Sequence, residues 1–372
     1  MLGAAFMLPV TAQIRKPYEM TVNGVKVIVQ PSGNEIVEVR TILKGGVQNY
    51  PADKEGIESL AMTALTECGT TKDDKNSFKD KLDKVSAEIS GNSGMDYSTF
   101  RLNCIKSDLD VVWPLYVDAL TTPLFDGKEF DRIKQDAINN LKSQASQPDY
   151  AINKLAKETA FAGKDYAKDP DGTEETVNKL TAAQTKQYYI SILTRSRLLI
   201  VVVGDLDRNE LEKRIQQLTA PIPEGKPFKL NRYSYVPAKN SFKSEKKDLA
   251  TNYIEGVTAA PQPGSADFDA YILASWIFYD RHFLEVRTNN GLSYAPIVHV
   301  DGGLSPSTNI IVSTTDPDKY KAVLDRLVNK IKKEGFTSEE VKNGKTGYGT
   351  SFYYKMETNA ALASALALNE VL

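Results

Sequence analysis

The second half of this 372-residue chain repeats a pattern of the first half, and this repeat limits the possible folds most. Phe125-x3-Glu129-Phe130-x3-Lys134 matches Phe336-x3-Glu340-Val341-x3-Lys345, which lies 211 residues further along the chain. The helices predicted before these two segments begin at the comparable aspartates Asp108 and Asp318. This offset is too long for a solenoid repeat, so it predicts a duplicated domain. The length also exceeds what one hydrophobic core usually serves.

Hydrophobic periodicity predicts strands and helices mixed in each half. Strands are expected at 19–30 (a hairpin turning at Asn23-Gly24), 35–44, 97–105 and 197–204, with alternating or continuous apolar residues. Helices are expected at 56–70, 74–89, 108–122, 130–143, 150–161 and 185–193. The predicted fold is α+β, with two homologous α/β sandwich halves, each a mixed and largely antiparallel sheet with helices packed on it.

The repeat and the composition together divide the chain into four segments. Residues 1–12 are interpreted as the remnant of a signal peptide, and residues 18–219 as the first domain. Residues 220–247 contain Pro221, Pro223, Pro227 and Pro237 and are predicted to be a linker. Residues 248–372 are the second domain, expected to be incomplete because no strand matching 197–204 follows its last helix.

The apolar run at 2–12 ends in Val10-Thr11-Ala12, which is typical of a secretory leader and its cleavage site. It lacks a basic start, and a buried first strand is the alternative. Eleven residues cannot span a bilayer, and no other run is long enough. We therefore expect export to the periplasm without a membrane span. In that oxidising compartment Cys68 and Cys104 could pair, although two buried free thiols are favoured.

The charge and the histidine count exclude two classes of function. The net charge is −2, and no basic stripe is interleaved with aromatic residues, so nucleic acid is not an expected partner. The chain has only two histidines, His282 and His299, beside its two cysteines. A zinc site built from histidine and cysteine is therefore nearly excluded.

The segment 45–70 contains an amphipathic helix with apolar residues at Ile57, Leu60, Ala61, Ala64 and Leu65. Asp53 is the expected N-cap, and Gly69 stands where such a helix usually ends.

This segment resembles the metal-site region of the insulinase/pitrilysin-type zinc peptidases, the inverzincins. In that family a Gly-x-x-His-x-x-Glu-His helix ends in Gly-Thr, and the two histidines bind zinc beside a general base. Counted from Gly56, the three positions are Ser59, Met62 and Thr63. Counted back from Gly69–Thr70, they are Leu60, Thr63 and Ala64. Neither register supplies a ligand or a base.

The family's third zinc ligand is a glutamate on a later helix, and the matching pair here is Asn139-Asn140. An asparagine amide lacks the anionic oxygen that zinc prefers. The resemblance therefore implies a homologue with no metal, no cofactor and no catalytic residue of its own.

The second half carries a different part of the same resemblance. Arg281 to Arg287, followed by Gly291-Leu292-Ser293-Tyr294, resembles the family's Leu-Arg-x-x-x-Gly-Leu-Ala-Tyr signature. The family's arginine holds substrate carbonyl groups through its forked donors, and its tyrosine can donate to the oxyanion. The resemblance implies that Arg287 and Tyr294 bind substrate.

Two functions from different classes follow. In the first, the chain is the non-catalytic subunit of a two-chain zinc peptidase, and a homologous partner carries the His-x-x-Glu-His site. In the second, it is a structural or peptide-binding envelope protein that kept the fold. Retention of Arg287 and Tyr294 favours the first. A serine or cysteine hydrolase is disfavoured because no Gly-x-Ser-x-Gly motif occurs.

Overall fold

A computed structural model describes residues 16–232 and 240–372, so the leader-like run at 1–12 lies outside the described residues. The strands are β1 (Tyr18–Val22), β2 (Val25–Gln30), β3 (Ile36–Lys44), β4 (Glu88–Ser93), β5 (Tyr97–Ile105), β6 (Leu198–Val203), β7 (Asn252–Ala259), β8 (Ile297–Asp301) and β9 (Ser307–Thr314). The helices are α1 (Ile57–Glu67), α2 (Lys75–Asp83), α3 (Leu109–Thr121), α4 (Gly127–Ala145), α5 (Pro148–Ala160), α6 (Glu174–Lys179), α7 (Ala182–Ile192), α8 (Arg208–Thr219), α9 (Phe268–Phe283), α10 (Pro317–Glu334), α11 (Ser338–Tyr354) and α12 (Asn359–Val371). In the described part of the chain, no helix is both long enough and apolar enough to cross a membrane.

The first half is built on a mixed six-stranded sheet in the order β1-β2-β6-β3-β5-β4. Only β2 and β6 run parallel, and the other neighbours are antiparallel. Every residue of β6 is buried, because helices cover the sheet on both faces here. A buried strand of this kind needs no alternation of polar residues, which explains its continuous apolar sequence.

The second half repeats the part of the first half from β3 to α5 in strand order and, apart from α2, in element order. Its three-stranded sheet has the order β7-β9-β8, which corresponds to β3-β5-β4 of the first half. Helix α9 occupies the place of α1, while α10, α11 and α12 follow β9 as α3, α4 and α5 follow β5. The predicted fold class, two related α/β halves with largely antiparallel sheets, is confirmed.

Each half packs one helix on the sheet of the other half. Helix α12 packs against the face of the first sheet opposite its main core, where Ala363, Ala367 and Val371 meet Ile42 and Val201. Helix α5 of the first half correspondingly packs against β7. The start of α12 is fixed by Asn359, whose side-chain amide donates to the Ile36 carbonyl oxygen at 2.7 Å. Each sheet is therefore completed by a helix from the other half.

The loop between β8 and β9 inserts into the first half. Leu304 is fully buried in the core of the first half, and its backbone N–H donates to Asp96 Oδ2 at 3.3 Å. The Tyr166 hydroxyl donates to Oδ1 of the same carboxylate. A Cβ atom at Gly303 would lie 2.6 Å from Asp96 Oδ2 and from the Tyr166 hydroxyl oxygen, so a larger residue here would require these two side chains to shift.

The structure corrects two local predictions. A helix over 74–89 is wrong, because α2 ends at Asp83, Ser86 has a φ of 49°, and residues 88–93 form the edge strand β4. Asp53 does not cap α1; the N-cap residue is Gly56, with a φ of 87° and no side-chain cap. Residues 223–232 and 240–249, in and beside the predicted linker, form no helix or strand.

The two cysteines are free, and both are buried. Burial raises the pKa of each thiol to about 12. Cys68 and Cys104 therefore stay protonated and unreactive at neutral pH, as the favoured prediction of two buried thiols requires.

A partly buried carboxyl group, that of Glu255, lies on β7, on the face away from α9 and α10. Burial raises the pKa of Glu255 to about 7, while His299 opposes this increase and Asp301 adds to it. Glu255 Oε2 is buried and has no hydrogen-bond partner among the described residues.

We expect stability to fall as pH rises from about 4.5 to about 7, because the folded state holds the Glu255 proton over that range and the unfolded state releases it. Glu255→Gln should remove this part of the pH dependence and stabilise the protein at pH 8 by about 1–2 kcal/mol, a value reduced for solvent screening of a partly exposed group. Urea unfolding at pH 5 and pH 8 measures it, with exposed Glu357→Gln as control. Equal pH dependence in the two variants would contradict the assignment.

Candidate functional site

Helix α1 presents one narrow polar stripe. Ser59, Thr63 and Glu67 are its only partly exposed residues, and the other eight are buried. The three are spaced by four residues, so they lie on one face of the helix. The Thr63 hydroxyl donates back to the Ser59 carbonyl oxygen at 2.9 Å. The stripe therefore offers hydroxyl groups and a single carboxylate.

Helix α4 lies opposite this stripe and closes a cavity of about 430 Å³. Asp126 begins α4 by accepting hydrogen bonds from two backbone N–H groups of its first turn. From α4, Asn140 lines the same cavity as Ser59 and Thr63. For the two ligand positions this placement favours the register counted from Gly56, because Ser59 and Thr63 both line the cavity, whereas the other register pairs Leu60, which lines it, with Ala64, which is fully buried and does not. In the favoured register Ser59, Met62 and Thr63 correspond to the family motif.

At one end of the cavity, positively charged side chains pair with carboxylates. Arg132 donates to Glu67 at 2.6 Å and to Asp136 at 2.9 Å, and Lys79 donates to Glu67 at 2.5 Å. Burial opposes the shift, but the hydrogen bonds from Lys79 and Arg132 hold the pKa of Glu67 below its usual value. At the other end Asp171 accepts from the Ser59 hydroxyl at 2.8 Å.

These residues do not fit a catalytic zinc ion. Such a site needs three protein ligands, chiefly histidine and carboxylate, around an open position. Ser59, Thr63 and Asn140 offer only neutral oxygens and an amide, and Met62 is a buried thioether in place of a base. Across the described ranges, no three His, Cys, Asp or Glu side chains are grouped so that they could hold a metal. No metal chemistry is therefore assigned to this chain.

We expect the purified chain to hold no stoichiometric zinc. A triple variant with Ser59→His, Thr63→His and Asn140→Glu places two histidines and a carboxylate in one cavity, and this variant should bind about one equivalent of zinc. Elemental analysis after dialysis measures both. The matched control places the histidines in the other register, as Leu60→His and Ala64→His with Asn140→Glu. It should lose stability because both positions are buried, and zinc bound only by this control would contradict the register.

A buried carboxylate that the sequence did not single out fixes the position of α1. Glu58 accepts hydrogen bonds from Ser98 and Tyr188 at 2.5 Å each and from Asn49 at 3.0 Å. Burial raises its pKa, and the three hydrogen bonds oppose that shift. The sequence did contain a signal for this contact, because Glu58 lies in a helix predicted to be buried and a buried carboxylate needs hydrogen-bond partners.

Strand β4, on which α1 packs, is the outer edge of the first sheet. An edge strand presents unpaired backbone N–H and C=O groups, to which an extended peptide can add as a further strand. The outer edge of β4 can therefore pair with an extended peptide, although no residue of β4 lines the cavity between α1 and α4.

The second candidate site forms where α9 ends. Residues Leu284–Asn289 continue the helix as one π-helical turn, a feature that often marks functional sites. Gly291 then takes a φ of 60°, which reverses the chain and favours glycine. Leu292 returns to the core, where its N–H donates to the Val286 carbonyl oxygen at 2.8 Å. This return brings Tyr294 back over Arg287.

The Arg287 guanidinium lies over two aromatic rings. Its carbon is 4.2 Å from the ring centre of Tyr294 and 5.1 Å from that of Phe283. Within the described residues, this guanidinium has no hydrogen-bond acceptor and no carboxylate partner. Tyr294 is 79% exposed. The predicted pair is thus in contact, while Phe283 was not predicted as part of it.

The two candidate sites are built from different halves of the chain. Every residue that lines the cavity between α1 and α4 comes from the first half, whereas Arg287 and Tyr294 lie in the second.

Comparison with known proteins places the chain among peptidase homologues. The family model described as "Peptidase M16 inactive domain" matches residues 179–348. The "Non-peptidase homolog YmxG" of Helicobacter pylori is 21% identical over 87% of this chain and 77% of its own length. Subunit 1 of the mitochondrial cytochrome b-c1 complex of Bos taurus is 20% identical over 51% of this chain and 39% of its own length.

Solved structures share the fold at low identity. A crystal structure described as the peptidase M16 inactive domain from Pseudomonas fluorescens superposes with a TM-score of 0.82 at 19% identity, covering 96% of this chain and 89% of that one. The periplasmic protease PqqL of Escherichia coli gives a TM-score of 0.77 at 14% identity, with 97% of this chain and 43% of that protein covered.

Proposed function

Because this chain belongs to the M16 peptidase family as one of its non-catalytic members, we propose that it is the non-catalytic subunit of a two-chain zinc peptidase. A homologous partner carries the metal and the general base. This chain contributes half of the peptide chamber and the substrate-binding residues Arg287 and Tyr294.

The observation that carries the proposal is the Arg287 side chain, held by two rings yet unpaired within the described residues. A structural arginine is normally used up by a carboxylate or by backbone carbonyl groups, as Arg281 is by Glu340 at 2.6 Å. Arg287 instead keeps its donors for a group outside the chain, and the exposed Tyr294 hydroxyl lies beside it. Both groups suit a peptide carbonyl that is becoming an oxyanion.

In the proposed reaction this chain binds and orients the peptide. The edge strand β4 pairs with extended backbone. The forked donors of Arg287 fix carbonyl groups, and the Tyr294 hydroxyl donates a hydrogen bond to the oxyanion as it forms. The bond cleavage itself belongs to the partner.

Reconstitution tests the proposal. The chain is mixed with a homologue that carries an intact His-x-x-Glu-His motif, and cleavage of an internally quenched peptide is followed. We expect the pair to cleave the peptide and this chain alone to be inactive. A pair no more active than the zinc-bearing homologue alone would overturn the proposal.

A specific observation supports a second function. The similarity to a cytochrome b-c1 subunit is a similarity to a protein named as part of a larger complex, so a structural or peptide-binding envelope protein is the alternative. It predicts that peptide binds without being cleaved, whichever homologue is added.

For location we propose the periplasm. The apolar run before Ala12 supports export, and one structural neighbour is described as a periplasmic protease. Fractionation of the native cell with mass spectrometry of the N-terminus tests this, and cytoplasmic protein with residues 2–12 intact would contradict it.

A further inference from the structure

The stack around Arg287 contains a third member that neither the motif nor the comparisons assign. Phe283 is the last residue of α9, and its ring centre lies 5.1 Å from the guanidinium carbon. Tyr294 covers the guanidinium at 4.2 Å. A planar cation favours such ring faces, and two of them leave it few orientations.

Phe283 and Arg287 are four residues apart, so they lie on the same face of the helix where α9 continues into the π-helical turn. The chain widens directly after Phe283, and Arg287 lies on that turn. In this geometry the two side chains four residues apart stay in contact while the backbone turns toward Gly291. Tyr279 supports the arrangement from the preceding turn, with its ring centre 6.0 Å from that of Phe283.

The donor edge of the clamped guanidinium faces no acid among the described residues. Glu285, on the same turn, instead accepts from Asn289 at 3.2 Å. A guanidinium offers five N–H donors, and a carboxylate is the group that matches two of them in parallel while also neutralising the charge.

We propose that Phe283, Arg287 and Tyr294 form an aromatic-clamped guanidinium site that binds a peptide carboxylate, with Phe283 as a positioning residue for Arg287. The inference deepens the proposed peptide-handling function and rests on it for its biological role. Its chemistry, however, can be tested on this chain alone. The carboxylate can be the C-terminus of a peptide or an acidic side chain, since both offer the same two oxygens.

The experiment uses the full chain labelled with ¹⁵N and ¹³C arginine and follows the Arg287 Nε–H signal by NMR, which Arg287→Lys assigns by deleting it. Two rings should shift this signal away from its free-arginine position. The probes are N-acetyl-tetraalanine with a free carboxyl group, the same peptide as its amide, and an amidated peptide with one glutamate. Titrations at low ionic strength limit screening.

Phe283→Leu should return the signal toward its free position and weaken carboxylate binding about two- to five-fold, the range of one exposed cation–π contact. Phe283→Tyr should retain both properties. Phe278→Leu is the matched control, because that ring lies on the same helix and stacks on His282 instead.

Unchanged signal and affinity in Phe283→Leu would overturn the positioning role, and an amide peptide that binds as tightly as the acid would overturn the carboxylate assignment. The tighter of the two carboxylate peptides identifies the source. No partner or zinc is needed, so failed reconstitution and failed carboxylate binding are separate results.

Discussion

Tyr294→Phe is expected to lower kcat of the reconstituted pair by about 10²–10³, the usual cost of removing one donor to an oxyanion. The reason is local: the hydroxyl is exposed, and the ring that remains can still cover Arg287 at about the same position. KM should change little, because the lost hydrogen bond forms in the transition state. Steady-state kinetics of the mixed subunits measure this.

Arg287→Lys is the companion test, because it keeps the charge and loses the planar fork. It should mainly raise KM, since lysine cannot hold carbonyl groups in the same bidentate way. Thermal melts serve as the control. If Arg287 and Tyr294 only supported the fold, both variants would melt earlier and turn over normally once folded. Full activity in the double variant would leave the structural alternative.

Much of the architecture is predictable because it follows from short-range patterns. The hairpin turn at Asn23-Gly24 and the fully apolar strand Leu198–Val203 were each predicted from local composition, and both are present. The duplication was visible because α4 and α11 begin with the same spacing of aromatic and acidic residues. The loss of the family's metal ligands could be predicted by comparing the sequence with the family motif alone.

Other features depend on tertiary contacts that no local pattern reports. Strand β4 was predicted as the end of a helix, because Ile89 continues the helical spacing of α2 and only pairing with β5 reveals the strand. The exchange of α5 and α12 is invisible for the same reason, since each helix is amphipathic whichever sheet it covers.

Some residues of the candidate site could likewise be predicted from the sequence, and others could not. The spacing of Arg287 and Tyr294 could be recognised, whereas Phe283 was not predicted because it lies outside that motif, although its spacing of four residues from Arg287 places both on one helix face. The register on α1 was also open until burial distinguished Ser59 and Thr63 from Ala64.

The second large expected effect is a loss of stability when a contact between the two halves is removed. Leu304→Ala removes a fully buried side chain that belongs to the second half by sequence and to the core of the first half by contact. It should destabilise the protein by about 2–5 kcal/mol, as other buried leucine truncations do.

The two tryptophans allow each half to be followed separately during urea unfolding. Trp113 lies in the core of the first half, and Trp276 lies on α9 of the second half. A Trp276→Phe variant therefore reports on the first half through Trp113, and a Trp113→Phe variant reports on the second half through Trp276. In the unaltered chain both reporters should give the same midpoint, because each sheet is completed by a helix from the other half.

With Leu304→Ala, both midpoints should move to lower urea, since the lost contact stabilises the two halves together. Leu249→Ala is the control, because that leucine is 44% exposed in a segment without helix or strand, and its change should stay within about 0.5 kcal/mol. A Leu304→Ala protein that matches this control would show that the halves are held by α5 and α12 alone. Midpoints that differ in the unaltered chain would show that they unfold independently. Coincident midpoints that shift together would show that the two halves of this chain unfold as one unit.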